Sequence, residues 1–195
     1  MTGQTVNIAE TTNAAFGDLP PVGHVLRSAI SGRWLRVHSL PNSKRYAETD
    51  AEYDELLRRH TELALEILGS DDRAILFLHG WGTAADFSAA FSGFGWAAHL
   101  ELNGTAPTVY PNPDAEDPNL VVAGFLIRWS LQAWGSLLRD IADDRLPSVV
   151  LLNPASGEAY APYDGGADLF VANSERVATL AARWASWLSK RPDGL

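Results

Sequence analysis

Cysteine does not occur in this 195-residue chain, which removes disulfides, thiolate nucleophiles and cysteine-ligated zinc from consideration. Long apolar runs are missing too: no stretch approaches the roughly 18 consecutive apolar residues of a membrane-crossing helix. Positive charge is scarce. Fifteen Lys and Arg stand against 24 Asp and Glu, a net charge of −9, whereas phosphate binding relies on clustered Lys and Arg. Neither a nucleic acid nor a membrane is therefore expected as a partner. The acidic balance suits a soluble protein, and equally one that meets a basic protein. Met1 to Leu19 has neither the basic n-region nor the apolar h-region of a secretory signal, so a cytoplasmic setting is expected.

Signatures of chemistry are also sparse. There is no P-loop and no G-x-G-x-x-G, so no nucleotide cofactor is expected. The five histidines fall singly at 24, 38, 60, 79 and 99, with no H-x-x-x-H or H-x-H spacing, and no metal is expected. Arg73 to Gly82 resembles the strand and HGxG oxyanion loop of α/β-hydrolases. That chemistry also needs a G-x-S-x-G nucleophile elbow and a catalytic His late in the chain. The chain has no such pentapeptide, and its last His is His99.

What is present is a folding sequence. Hydrophobic residues make up 46%, with seven Trp and seven Phe, and charged residues only 20%. That composition builds a core and argues against global disorder. Residues 1–20, rich in Thr, Asn, Ala and Gly, read as a flexible arm ending at Pro20-Pro21. Residues 21–191 read as a single α+β domain. Val22 to Ile30 is weakly patterned, a short strand or loop. Arg33 to His38 alternates, with Trp34, Arg36 and His38 on one face and Leu35 and Val37 on the other, the period of a strand.

Thr49 and Glu52 form a capping box. Tyr53, Leu56, Leu57, His60, Leu63, Ala64, Ile67 and Leu68 follow at helical spacing, and Gly69 stands where the helix should stop. His60 falls on the apolar stripe, where a core or boundary role is expected. Arg73 to His79 reads as a buried strand, Thr83 to Phe91 as a short helix and Gly95 to Leu102 as a strand. Asn103 to Asn119, with four prolines, reads as a long loop. Leu120 to Trp129 is a strand pattern, and Ser130 caps a helix that turns Trp134, Leu137, Leu138 and Ile141 inward. Ser148 to Leu152, Glu158 to Tyr160 and Ala167 to Val171 read as strands. Asn173 or Ser174 caps a closing helix with Leu180, Trp184, Trp187 and Leu188 on one stripe. The expected fold is α+β, a sandwich in which helices pack a mixed, mostly antiparallel sheet.

Two segments interrupt apolar elements with polar groups. Arg36, His38, Lys44, Arg45 and Tyr46 gather four potential cations in a strand and its adjoining loop. Arg and Lys there can clamp a phosphate or carboxylate, or pair with nearby acids such as Asp164 and Asp168. The second segment is Tyr163-Asp164-Gly165-Gly166-Ala167-Asp168. Its carboxylates either bond local backbone N–H groups or, with a third acid, hold a divalent cation. The Gly165-Gly166 pair is expected to contain a positive φ.

Arg58-Arg59, Ile75 to Leu78, the Tyr160 to Asp168 turn and Trp184 to Leu188 together resemble a family of uncharacterised bacterial proteins without established activity. In that family a Pro-Tyr-Asp turn and a helix finishing in Trp-Leu close the chain. The order of strand, Gly157-x-x-Tyr160 hairpin and closing helix is similar to the SUKH superfamily of immunity proteins. Neither resemblance supplies catalytic residues. The missing catalytic set, the acidic balance and aromatics near loops, such as Tyr110 and Trp81, point to a non-enzymatic, immunity-type protein that recognises a protein partner, such as a toxin. The alternative is a small-molecule-binding domain or small enzyme, with an anion site at Arg36, His38, Lys44 and Arg45 beside Asp164 and Asp168.

Overall fold

The computed structural model describes residues 6–69, 73–91, 93–100, 105–111, 118–146 and 149–190. Among the described residues, seven strands form one open sheet: β1 (Trp34–His38), β2 (Arg73–Trp81), β3 (Thr108–Tyr110), β4 (Leu120–Arg128), β5 (Val150–Leu152), β6 (Ala159–Tyr163) and β7 (Gly166–Phe170). Their spatial order is β1-β7-β6-β5-β2-β4-β3, and every pairing is antiparallel. Helices α1 (Ile8–Phe16) and α2 (Gly23–Ala29) cover one face. Helices α3 (Asp50–Leu68), α4 (Ala84–Ala90), α5 (Leu131–Ala142) and α6 (Ser174–Arg183) lie on the other. The class is α+β. No helix among the described residues is long and apolar enough to cross a membrane.

Strand β2 shows why an unbroken apolar run is needed at the centre. Ala74, Leu76 and Leu78 enter the core under α3 and α5, while Ile75 and Phe77 enter the core under α1 and α2. A strand covered on both faces has no polar side to alternate with. Helix α3 begins as its capping box requires: the Thr49 hydroxyl accepts the Glu52 N–H at 3.3 Å, and Gly69 ends it with φ 75°. Ser130 and Asn173 cap α5 and α6 in the same way.

Four local expectations are corrected. The N-terminal arm is not loose over its described part, since α1 packs Phe16 into the core with Asn7 as its cap. Its Thr and Asn content hides the helix because Thr11 and Thr12 hydroxyls turn back onto carbonyls four residues earlier. Val22 to Ile30 is neither strand nor loop but contains α2, which buries Leu26. Gly95 to His99 is a 3₁₀ turn rather than a strand, anchored by Trp96, which is buried and donates to Asp140 at 3.1 Å. The long Pro-containing segment also contributes β3, which pairs with β4; its residues 103–104 and 112–117 lie outside the described residues.

The turn between β6 and β7 corrects a fifth. Neither Gly165 nor Gly166 has a positive φ. Gly166 is required for a different reason: a Cβ there would stand 2.0 Å from the Val37 carbonyl oxygen of β1. Strand β1 can pass this close only because the position has no side chain. Gly166→Ala is therefore expected to cost about 3 kcal/mol, at the upper end of overpacking effects. Gly165→Ala, whose Cβ would meet Tyr163 at 3.2 Å, is expected to cost clearly less. Urea unfolding of the two variants checks the order; equal losses would contradict it.

A polar chain crosses the core beneath α3. The Ser39 hydroxyl lies 2.7 Å from His60 Nε2, and the Tyr160 hydroxyl 2.5 Å from His60 Nδ1. All three residues are buried. Burial holds the His60 pKa down at about 4 and that of Tyr160 well above its usual value, so the imidazole is neutral and the phenol protonated. Burial also lowers His79 to about 4, with nearby His24 adding to the effect. Between pH 6.5 and 4 the unfolded chain binds protons that these folded histidines refuse. Stability is thus complete above pH 6.5 and is lost as pH falls toward 4, by about 3 kcal/mol for each histidine. Denaturant titrations from pH 7.5 to 4 should show this fall, and His79→Leu should remove part of it. A flat profile would contradict the buried, neutral assignment.

Candidate functional site

The two polar segments of the sequence meet on one face of the sheet. β1 pairs with β7 so that Arg36 lies opposite Asp168 and His38 opposite Gly166. β6 pairs with β7 so that Tyr163 is also opposite Gly166. With period-2 alternation, Trp34, Arg36, His38, Tyr163 and Asp168 share the face that α2 partly covers.

Asp168 is the anchor. Its Oδ1 accepts from Trp34 Nε1 and from Arg36 Nε, each at 2.8 Å, and its Oδ2 accepts from Arg36 Nη2 at 2.8 Å. Only 6% of the Asp168 side chain and 14% of the Arg36 side chain is exposed. Burial works against the Arg36 charge, but the hydrogen bonds and charge of Asp168 outweigh it and raise the Arg36 pKa. The guanidinium also lies over the Tyr163 ring at 4.5 Å and the Trp34 ring at 5.7 Å. This fixed, forked geometry makes Arg36 a preorganised group.

A second pair closes the turn. Arg45 donates to Asp164 Oδ2 through Nε at 2.7 Å and Nη2 at 2.5 Å, and the Tyr46 hydroxyl donates to the same oxygen at 3.2 Å. Asp164 is buried while Arg45 and Tyr46 are exposed. Tyr163 is half-buried, and its pKa is pushed up to about 12 by burial, with Arg36 opposing and the two aspartates adding. Its hydroxyl is therefore a standing donor. His38 is lowered by burial, against the Gly165 carbonyl, with Arg36 and Arg59 adding to the effect. Its Nε2 is buried and has no hydrogen-bond partner among the described residues.

Three open clefts adjoin these groups. One of about 180 Å³ lies under α2, lined by Arg27, Arg36, Tyr163 and Asp168 among others. A second of about 340 Å³ is shared by Arg36, His38, Arg45, Tyr163 and Asp164. A third of about 560 Å³ runs from His38 to Trp187 and Lys190. Arg36 and Tyr163 thus form the wall between the first two, and His38 the boundary between the second and third.

Seven of the eight expected site residues, Arg36, His38, Arg45, Tyr46, Tyr163, Asp164 and Asp168, converge here. Lys44 does not: it turns toward the start of α3 and pairs with Glu52 at 2.7 Å and Glu48 at 3.0 Å. The four-cation clamp is corrected accordingly, because Lys44 reaches two acids eight or fewer residues away. Asp168 spends both oxygens on Arg36 and Trp34, Asp164 spends Oδ2 on Arg45 and Tyr46, and no group of three or more His, Asp or Glu gathers as a metal ion would need, among the described residues. The Arg58-Arg59 pair braces the chain end, with both guanidiniums over Trp187 at 5.3 and 4.8 Å.

Sequence reasoning missed Trp34 as a ligand of Asp168, and it missed His24 and Arg27. The signal for Trp34 was there, since it shares the face of Arg36 and His38. Helix α2 has no side-chain cap at Val22 to announce it.

The chain belongs to a family defined only as a domain of unknown function, DUF3885, whose model matches residues 22–192. That span contains the whole of the site. Neither a curated protein nor a solved structure matches the chain.

Proposed function

We propose that this protein binds a protein partner through the exposed rim of the β1–β7–β6 face, as an immunity-type protein that occludes its target in the cytoplasm. The observation that carries the reading is the pairing of Arg36 with Asp168 and of Arg45 with Asp164. Buried carboxylates hold arginines in place beside Tyr46, Tyr163 and Trp34. Arg, Tyr and Trp are the residue types that dominate binding hot spots, and fixed side chains lose less entropy on association. Both site carboxylates are already committed to arginines, which supports recognition over acid–base chemistry.

A second reading, binding of a small molecule, is favoured by one observation. The two polar segments share adjacent strands and enclose clefts of about 180 and 340 Å³. Capture from a lysate of the native host, with wild-type and Arg45→Glu baits side by side, separates the two. The protein-partner reading expects a protein that the wild-type bait retains and the variant loses. A bound metabolite with no such protein would overturn it in favour of the second reading.

A further inference from the structure

We infer that the cleft between α2 and the β1–β7–β6 face is a seat for a single carboxylate, held by Arg27, Arg36 and the Tyr163 hydroxyl. The inference deepens the binding reading above by naming the group that this part of the face receives.

Asp168 sets up the seat and is used up in doing so. Both its oxygens are taken by Arg36 and Trp34. Arg36 spends Nε and Nη2 on that pair, and its Nη1 makes no hydrogen bond among the described residues. Arg27 also lies over the Trp34 ring, with its guanidinium 5.9 Å from the ring centre. It makes no ion pair or hydrogen bond among the described residues, so it is a cation without a carboxylate. The Tyr163 hydroxyl has no hydrogen bond there either, and it is protonated at neutral pH, its pKa pushed further up to about 12 by burial. Arg27, Arg36 and Tyr163 all line the same cleft of about 180 Å³.

Charge fixes the class of ligand. Arg27 and Arg36 against Asp168 leave one positive charge. His24, on the cleft wall, has its pKa lowered by burial and by Arg27 and so adds little charge at neutral pH. A carboxylate balances that single charge and presents two acceptors to a guanidinium fork. A phosphate dianion would leave surplus negative charge beside Asp168. The volume of about 180 Å³ admits a carboxylate head. The carboxylate comes either from an Asp, a Glu or a chain terminus of a partner, or from a free organic acid.

The test is an NMR titration of arginine side-chain Nε–H signals at pH 7 with sodium acetate replacing chloride at constant ionic strength. Parallel arms use sodium phosphate and a short Glu-containing peptide. The expected result is a saturable shift at Arg27 and Arg36 with acetate, weakened at least tenfold in Arg27→Gln and several-fold in Tyr163→Phe. A peptide that saturates well below acetate assigns the carboxylate to a polypeptide; saturation by acetate at equal or lower concentration assigns it to a free acid. Overturning results are a linear, non-saturating shift, tighter binding of phosphate than of acetate, or a saturable shift that both variants retain. Tyr163→Phe removes one oxygen atom, so it serves even if Arg27→Gln folds poorly. The titration uses no host protein, so its failure is distinguishable from an empty capture experiment.

Discussion

Replacing Asp168 with alanine is expected to lower stability by roughly 3–5 kcal/mol, the cost of stranding a buried charge. Arg36 would lose both its acceptors, with only 14% of its side chain exposed to recruit water. Trp34 would lose the acceptor for its indole N–H as well. Asp168→Asn keeps one acceptor but not the charge, and should fall between the alanine variant and the wild type. The double variant Arg36→Leu, Asp168→Leu removes charge and counter-charge together and should recover much of the loss, since apolar replacements of buried pairs are often neutral. Urea unfolding of the four proteins gives the comparison. An Asp168→Ala protein as stable as wild type would mean that the pair is solvated and that Arg36 is not preorganised.

Trp184→Ala is the second large effect, also roughly 3–5 kcal/mol, as for other buried aromatic residues cut back to alanine. Trp184 is 2% exposed and belongs to the core under α3 and α6. Its indole donates to Glu62 at 2.9 Å, and its ring stacks on Trp187 at 5.9 Å and 12°. The stripe of Leu180, Trp184, Trp187 and Leu188 therefore docks on the sheet rather than waiting for a partner. α6 itself stops at Arg183, and a 3₁₀ turn (Ala185–Trp187) delivers Trp187. Thermal melting tests this. A variant that melts like wild type but loses a partner would show that the stripe is an interface.

Elements governed by local chemistry were legible in the sequence. The Thr49 cap, the Gly69 stop, the two faces of Trp34 to His38 and the apolar β2 run depend on neighbours within a few residues, and each is found. The pairing of β1 with β7 joins residues 128 to 136 positions apart, and no periodicity announces it. Composition did mark both segments, because polar groups inside apolar elements need partners and here they find each other. Lys44 went elsewhere because Glu48 and Glu52 compete locally. Gly166 was singled out correctly for the wrong reason: the demand came from the Val37 carbonyl of another strand and not from turn dihedrals. Arg27 stayed hidden because a seven-residue helix carries little periodic signal.

The central claim is that recognition occurs on the Arg36–Tyr163 face and not elsewhere on the molecule. Site-specific photo-crosslinking tests it most directly, with p-benzoylphenylalanine placed at Tyr46 or, as the control, at Leu65. Both positions are exposed, at 43% and 55%. Tyr46 bonds Asp164 at the rim of the site, whereas Leu65 lies on α3, which packs against the opposite face of the sheet. In native-host lysate the account predicts a discrete covalent adduct from position 46, diminished by Arg45→Glu, and none from position 65. An adduct from position 65 with none from position 46 would contradict it.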